Sequence, residues 1–195
     1  MSDKSVRAFL AVPLGGKLQD RLADLQRQLS RDLPGVRWTC PENLHLTLRF
    51  FGDVTHEDLE KIRVSMLSIE GCQRAFEVSA TGLGSFPDPR RPRVLWVGLR
   101  PVAPLQGLYW RIQSALALAG IPKEPRPFSP HLTIGRLRQT GPDLSLKLTR
   151  AATQRYGGFP VDQLVLYESR LHPGGAEHIP LSRLKFPLCE EDAGH

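Results

Sequence analysis

Cysteine is scarce in this sequence. The 195 residues contain three cysteines, Cys40, Cys72 and Cys189, and no two of them form a Cys-x-x-Cys pair. An odd number of widely spaced cysteines argues against a disulfide framework and against a structural zinc site. We therefore expect a protein of a reducing, cytoplasmic compartment.

The sequence also lacks a long apolar run, and its acidic residues are outnumbered by basic ones. No stretch approaches the ~20 apolar residues that a membrane-spanning helix needs. The polar segment from Met1 to Arg7 does not resemble a signal peptide, so we expect no membrane association. Lys and Arg number 26 against 20 Asp and Glu, a net charge of +6. This balance favours a nucleic-acid or nucleotide partner without requiring one.

The hydrophobic pattern predicts an α+β protein with an ordinary apolar content of 41%. The predicted order is β-α-β-α-β followed by β-α-β-α-β-β. Strands are predicted at 8–12, 44–52, 76–80, 94–99, 131–134, 164–167 and 179–186, and helices at 18–29, 55–69, 105–118 and 144–156. No linker divides the chain. We predict a single domain over residues 1–189, followed by an acidic tail at 190–195.

A His-x-Thr set occurs twice, each time in an apolar run with the composition of a strand: LHLTL at 44–48 and HLTI at 131–134. Because side chains alternate along a strand, His45 and Thr47 share one face, and His131 and Thr133 do the same. Two such faces brought together would form a pocket with two imidazoles and two hydroxyls. That arrangement suits a phosphodiester, because one imidazole can accept a proton, the other can donate one, and the hydroxyls can bind the non-bridging oxygens.

One His-x-Thr set by itself would be an ordinary surface feature. Here the two sets lie in corresponding halves of the chain, and each follows a helix and a proline-marked entry. This weak internal repeat predicts two similar lobes with a cleft between them.

Further motifs accompany the pair in a fixed order. They are RAFLAVP at 7–13, PENLHLTL at 41–48, FP at 86–87 with RPRVLW at 91–96, FSPHLTI at 128–134 and LYES at 166–169. Together they resemble the two-histidine (2H) phosphoesterase superfamily, and within it the RNA 2′,3′-cyclic phosphodiesterases, also called 2′-5′ RNA ligases.

The resemblance implies a bilobal, pseudo-two-fold α+β fold, in which two antiparallel sheets line a central cleft and the helices lie outside. It implies hydrolysis of RNA 2′,3′-cyclic phosphate ends to 2′-phosphomonoesters, with 2′-5′ RNA ligation as a secondary activity. It also implies no metal and no cofactor. The expected partner is RNA with cyclic phosphate ends, such as tRNA fragments, and we expect a monomer.

The resemblance also implies residue roles. His45 would be the general acid that protonates the leaving O3′, and His131 the general base that activates water. Thr47 and Thr133 would bind the non-bridging oxygens, and Arg136 would contribute positive charge. Because one imidazole must be neutral and the other protonated, a bell-shaped pH profile is expected.

Other residues keep two interpretations. Strict alternation turns Arg136 away from His131, so reaching the phosphate requires a twist or the end of the strand. Arg49 shares a face with His45 under the same rule and would contact phosphate or solvent. Three loop arginines could follow an RNA backbone but fit a solvated loop at least as well: Arg90, Arg91 and Arg93. Four aromatic residues could stack a base but are more often core: Phe9, Phe50, Phe128 and Tyr167. Four other histidines are interpreted as surface residues: His56, His172, His178 and His195. The tryptophans are interpreted as packing residues: Trp38, Trp96 and Trp110.

Three alternatives stay open from the sequence. One is a 2H enzyme that acts on small cyclic nucleotides or on 2′-5′ oligonucleotides. Another is a non-catalytic RNA-binding module, which the presence of all four motif residues disfavours. The third is a zinc enzyme with His45 and His131 as ligands, which lacks any supporting His-Glu-x-x-His motif.

Overall fold

The computed structural model describes residues 5–139, 141–173 and 175–188. Within these ranges the chain forms nine strands, four helices and one 3₁₀ turn. The strands are β1 Val6–Pro13, β2 Val36–Trp38, β3 His45–Val54, β4 Phe76–Phe86, β5 Val94–Arg100, β6 His131–Leu137, β7 Arg155–Val161, β8 Gln163–His172 and β9 Gly175–Lys185. The helices are α1 Gly16–Ser30, α2 His56–Leu67, α3 Val102–Leu118 and α4 Ser145–Arg150, and the 3₁₀ turn is Pro41–Asn43.

The sheet consists of two halves that meet in the middle. Its strand order is β7-β4-β5-β6-β3-β1-β8-β9, with β2 paired to β6. Every pairing is antiparallel, and among the described strands the ladder between the halves consists of the pair formed by Leu46 of β3 and Leu132 of β6. The predicted α+β fold with two antiparallel sheets is confirmed, and the two sheets are continuous through this one residue pair.

One core packs the helices against one face of this sheet. The inward leucines of the two motif strands, Leu46 and Leu132, are both 0% exposed. They belong to the same buried cluster as apolar residues of α1, α2 and α3: Leu18, Leu22, Ile62, Met66, Leu105 and Leu108. Burial of this face leaves the opposite face of the sheet to carry polar side chains.

The local signals for helices are confirmed. The Thr55 hydroxyl accepts a hydrogen bond from the backbone N–H of Asp58 at 3.1 Å, which caps α2. The fourth predicted helix, 144–156, is wrong in its second half: α4 ends at Arg150, turns follow, and β7 begins at Arg155. The backbone around Gly157 and Gly158 pairs there with β4, and neither glycine offers a side chain from which a strand could be predicted.

Two further differences lie in the strands. The strand β2 has only three residues and was not predicted. The strand β4 continues to Phe86 instead of ending at Ala80. Gly84 allows this, because a Cβ there would lie 2.1 Å from the Trp96 ring, which packs over the glycine. The predicted acidic tail at 190–195, and Cys189 before it, lie outside the described residues.

A β-bulge occurs at the same place in both motif strands. In β3, Thr47 pairs with Ala11 and Arg49 with Leu10, so that Leu48 is the extra residue. In β6, Thr133 pairs with Trp96 and Gly135 with Leu95, so that Ile134 is the extra residue. A bulge resets the alternation of side chains that follow it. The residue three positions beyond each threonine therefore returns to the face that carries the histidines.

Candidate active site

A cavity of about 690 Å³ lies on the sheet face opposite the core. Four of the five predicted site residues line it: His45, Thr47, Thr133 and Arg136. The fifth, His131, is half-buried at its margin and is not among the lining residues. The remaining walls come from β1, from the segment 37–43 and from the β8–β9 hairpin.

The Leu46–Leu132 pair sets the relation between the two motifs. Continuing this register by one residue in each direction places His45 opposite Thr133 and Thr47 opposite His131. Residues directly opposite each other on antiparallel strands have Cβ atoms about 5 Å apart, and diagonal neighbours such as the two histidines about 7–8 Å. The imidazoles are thus spaced to lie on either side of one phosphate group.

Both imidazoles are oriented in the same way. The Nδ1 atom of His45 lies 2.7 Å from the carbonyl oxygen of Asn43, and that of His131 lies 2.6 Å from the carbonyl oxygen of Ser129. A carbonyl oxygen only accepts, so Nδ1–H must be the donor in each ring. The neutral ring then carries its lone pair on Nε2, and no described residue hydrogen-bonds to Nε2 in either histidine. Each Nε2 is available for proton transfer.

Aromatic rings surround both histidines. The ring centroid of His45 lies 4.9 Å from that of Phe9 and 5.2 Å from that of His178. The ring of His131 lies 5.0 Å from that of Phe86, edge to face, and 6.2 Å from that of Trp96. These contacts replace water around the imidazoles with apolar surface.

Burial lowers the pKa of both histidines. Desolvation is the largest cause at His45 and brings its pKa to about 4, although the hydrogen bond to Asn43 favours the charged form. The positive charges of His178, Arg136 and His131 lower it further. Desolvation also lowers the pKa of His131, with an additional contribution from Arg136. Without a ligand, both imidazoles are therefore neutral at neutral pH.

The bulge in β6 explains how Arg136 reaches the cavity. It lies three positions after Thr133 and, because Ile134 is the extra residue, its side chain returns to the histidine face. The equivalent position in β3 is Phe50, which also lines the cavity. Neither placement follows from strict alternation.

The bulge at Leu48 in β3 turns Arg49 away from the site, which corrects its expected place beside His45. Its side chain is 10% exposed and donates a hydrogen bond from Nη2 to the carbonyl oxygen of Pro122 at 2.7 Å. Its Nη1 lies 3.4 Å from a carboxylate oxygen of Glu124. Arg49 thus ties the first motif strand to the proline-rich segment that leads into the second, and it does not line the cavity.

Sequence reasoning missed His178. This residue was interpreted as a surface histidine, but it lines the cavity from β9 and lies against His45 and Phe9. Burial lowers its pKa. It has no Thr two positions later, so the only signal in the sequence was a histidine immediately before the strand predicted at 179–186. His172, at the end of β8, also lines the cavity and pairs with Glu177 at 3.2 Å.

The four aromatic residues that could stack a base differ in how deeply they are buried, and only Phe50 among them is exposed. Phe9 is 3% exposed and stacks on Tyr167, and Phe128 stacks on Tyr109 with ring centroids 4.4 Å apart. Phe50 is 40% exposed.

Two of the three tryptophans differ from their expected packing role, whereas the loop arginines have the exposure expected of a solvated loop. Trp38 lines the cavity, and Trp96 packs against Phe86 as expected of a packing residue. Trp110 is 59% exposed on α3, which corrects its assignment to packing. The loop arginines are exposed and do not line the cavity: Arg90, Arg91 and Arg93.

Two kinds of feature are absent from the described residues, a membrane-spanning helix and a cluster of metal ligands. None of the described helices is both long and apolar enough to cross a membrane. Over ranges 5–139, 141–173 and 175–188, no three His, Cys, Asp or Glu side chains are grouped so that they could hold a metal ion. The two described cysteines, Cys40 and Cys72, are free and exposed.

A pseudo-two-fold α+β fold, with a histidine and a threonine from each half around one cleft, defines a two-histidine phosphoesterase. The sequence model of the family described as "LigT like Phosphoesterase" matches residues 12–96 and 99–176, and the chain belongs to this family.

The chain is similar over most of its length to proteins that are named RNA 2′,3′-cyclic phosphodiesterase. The chain is 35% identical over 174 residues to the RNA 2′,3′-cyclic phosphodiesterase of Methanothermobacter thermautotrophicus, covering 87% of this chain and 93% of that protein. It is 31% identical over 172 residues to the protein of the same name from Archaeoglobus fulgidus, covering 87% and 94%. The crystal structure of Escherichia coli LigT in apo form superposes with a TM-score of 0.76 at 25% identity, covering 94% of this chain and 99% of that one.

The low pKa of His45 predicts that the protein loses stability in mild acid. In the unfolded chain the imidazole takes up a proton near pH 6.5, whereas in the folded protein its pKa is about 4. Between these values the unfolded state binds more protons, so the free energy of unfolding rises with pH across this window and falls as the pH is lowered. For His45 alone the effect is at most about 3 kcal/mol, since its ring is partly open to the cleft.

Urea unfolding between pH 5 and pH 7 measures this dependence. We expect His45→Gln to flatten the rise of stability with pH. The control is His56→Gln, at the exposed start of α2, which we expect to keep the wild-type dependence. An unchanged dependence in His45→Gln would contradict the assignment.

Proposed function

We propose that this protein hydrolyses the 2′,3′-cyclic phosphate at the end of an RNA to a 2′-phosphomonoester. The observation that carries the proposal is the matched pair of imidazoles, each with Nδ1–H bonded to a backbone carbonyl and Nε2 left available, on diagonal positions of adjoining strands. The names of the relatives, RNA 2′,3′-cyclic phosphodiesterase, support the choice of substrate.

In the proposed reaction His131 acts as the general base and His45 as the general acid. Nε2 of neutral His131 takes a proton from water as the water oxygen bonds to phosphorus. The P–O3′ bond breaks, and protonated His45 gives its Nε2 proton to O3′. The products are a 2′-phosphate and a free 3′-hydroxyl. Thr47 and Thr133 donate hydrogen bonds to the non-bridging oxygens, where charge accumulates in the transition state.

The shape of the cavity supports this assignment of the two histidines. The attacking and leaving oxygens lie roughly in line at phosphorus, so the nucleoside lies on the side of the acid and water on the side of the base. Most of the cavity wall comes from β1, β3, β8 and β9, the half of the sheet that carries His45, and a smaller part comes from β2 and β6. His131 instead lies against Phe86 and Trp96 at the margin, where a water molecule needs little space.

His45 must gain a proton before it can act as the acid. Its pKa is about 4 in the empty cleft, chiefly because burial disfavours the charged imidazole and, to a smaller extent, because positive charge on His178 and Arg136 lowers it further. A bound phosphodiester anion offsets those charges and raises the pKa of His45 towards neutrality. Substrate binding thus prepares the acid.

The same groups also suit ligation. If an RNA 5′-hydroxyl replaced water as the nucleophile, loss of O3′ would leave a 2′-5′ phosphodiester linkage.

The decisive experiment identifies the product formed from an RNA that ends in a 2′,3′-cyclic phosphate. We expect a 2′-phosphate, because O3′ is the oxygen that receives the proton, and two-dimensional ³¹P–¹H NMR distinguishes it from a 3′-phosphate. A 3′-phosphate would overturn the proposed regiochemistry. Absence of turnover, with a small cyclic nucleotide or a 2′-5′ oligonucleotide cleaved instead, would overturn the proposed substrate.

A further inference from the structure

An arginine and a phenylalanine form a second feature in the cavity, beyond the two motifs. The guanidinium carbon of Arg7, on β1, lies 4.9 Å from the ring centroid of Phe50, on β3, and both side chains line the cavity. We call this pair the Arg7–Phe50 shelf. The mechanism proposed above uses neither residue.

The shelf is not explained by core packing. Phe50 lies opposite Phe9 in the β1–β3 register, yet Phe50 is 40% exposed whereas Phe9 is 3% exposed. The bulge at Leu48 is what presents the Phe50 ring to the cavity instead of the core. An exposed phenyl ring beneath a cation, inside a cavity, is a surface on which another planar group can stack.

Arg7 also lacks an ion pair. Asp53 is its cross-strand neighbour, but no carboxylate of the described residues lies within 4.0 Å of the Arg7 guanidinium. Its planar fork is therefore available to an external anion, and phosphate fits it in a bidentate manner.

The distance from the reacting phosphate indicates which part of an RNA would reach the shelf. Phe50 comes three residues after Thr47 in β3, but the bulge sets these two residues opposite Phe9 and Ala11, which are two positions apart in β1, so Phe50 lies about 7 Å further along the strand. It lies on the His45 half of the sheet, where the nucleoside side of the substrate is expected. A mononucleoside cyclic phosphate carries no second phosphate for Arg7, whereas an RNA chain does.

We propose that the Arg7–Phe50 shelf binds the nucleotide that precedes the cyclic end, the Phe50 ring stacking on its base and Arg7 pairing with the phosphodiester that joins the two nucleotides. This inference rests on the proposed function and deepens it, because it makes the preferred substrate an RNA chain. Stacking on an aromatic ring tolerates every base, so the preference for a chain does not require a preferred sequence.

The test compares two substrates in each variant: a mononucleoside 2′,3′-cyclic phosphate and a dinucleotide with the same cyclic end. The readout is the ratio of kcat/KM for the dinucleotide to kcat/KM for the mononucleoside. We expect this ratio to fall about tenfold in Phe50→Leu and in Arg7→Ala. Phe50→Tyr, which keeps a stacking ring, is expected to retain the wild-type ratio.

Two control variants lie outside the cavity. Trp110→Ala removes an exposed aromatic ring from α3, and Arg150→Ala removes an exposed arginine at the end of α4. We expect wild-type kinetics on both substrates from each control. An unchanged ratio in Phe50→Leu and Arg7→Ala would overturn the shelf while leaving the proposed function intact. A wild-type protein that opens neither substrate would overturn the proposed function itself.

Discussion

Replacing His45 or His131 by Ala is expected to lower kcat for opening an RNA 2′,3′-cyclic phosphate about 10³-fold. Positioned acid–base catalysis contributes roughly 10²–10⁴-fold, and each alanine variant removes one of the two proton-transfer groups. Binding of the RNA should largely survive, because most of the cavity wall comes from other residues. Single-turnover rates with an end-labelled oligonucleotide measure the chemical step, and binding is measured in the same variants.

A change of leaving group separates the two roles. A phosphodiester that releases p-nitrophenolate needs no general acid, so His45→Ala should recover most of its rate on that substrate, whereas His131→Ala should not. The control is His56→Ala, because this histidine lies at the exposed start of α2, away from the cavity. Wild-type turnover in both site variants would remove the catalytic assignment, and rescue of His131→Ala alone would exchange the roles.

Replacing Thr47 or Thr133 by Val is expected to lower kcat about 10²-fold. Each hydroxyl is proposed to donate to a non-bridging oxygen, and loss of one preorganised donor of this kind typically costs 10²–10³-fold. Valine has nearly the shape of threonine, and both threonines are half-buried on the cavity side of their strands, so the strands should keep their register. The measurement is kcat together with the thermal midpoint of unfolding.

The serine variants of the same positions provide the matched comparison. Thr47→Ser and Thr133→Ser keep the hydroxyl and lose a methyl group, and they should retain kcat within a few-fold. If valine and serine variants lose the same activity, packing of the methyl group would explain the effect and the proposed hydrogen bonds would be excluded. Full activity in both valine variants would contradict the role as well.

Much of the secondary structure could be predicted because it depends on local signals. Leucines at helical spacing predicted α1, the Thr55 cap predicted the start of α2, and apolar runs predicted the two motif strands. The strands β2 and β7 were not predicted, because neither segment carries a local strand signal. Three residues cannot show a pattern, and a strand with adjacent glycines and a proline has little strand propensity, so only pairing with β6 and β4 makes these segments strands.

The site could be predicted only as far as alternation along a strand holds. Alternation correctly placed His45 with Thr47 and His131 with Thr133. It failed beyond the threonines, because each strand contains a bulge that has no signature in the residues themselves. A bulge forms where two strands of different curvature must pair, which is a property of the sheet and not of one segment.

The sequence by itself determined the two-histidine motif and the polar character of the face on which the motif lies, because these depend on residue type and on spacing within a few positions. The bilobal fold was implied by the resemblance of several motifs along the chain to a known family. The tertiary structure alone decided that Arg136 and Phe50 face the cavity and that Arg49 does not. It also decided that His178 joins the site from a strand more than 100 residues away along the chain. Such placements follow from the register between strands, and register depends on the whole sheet packing at once.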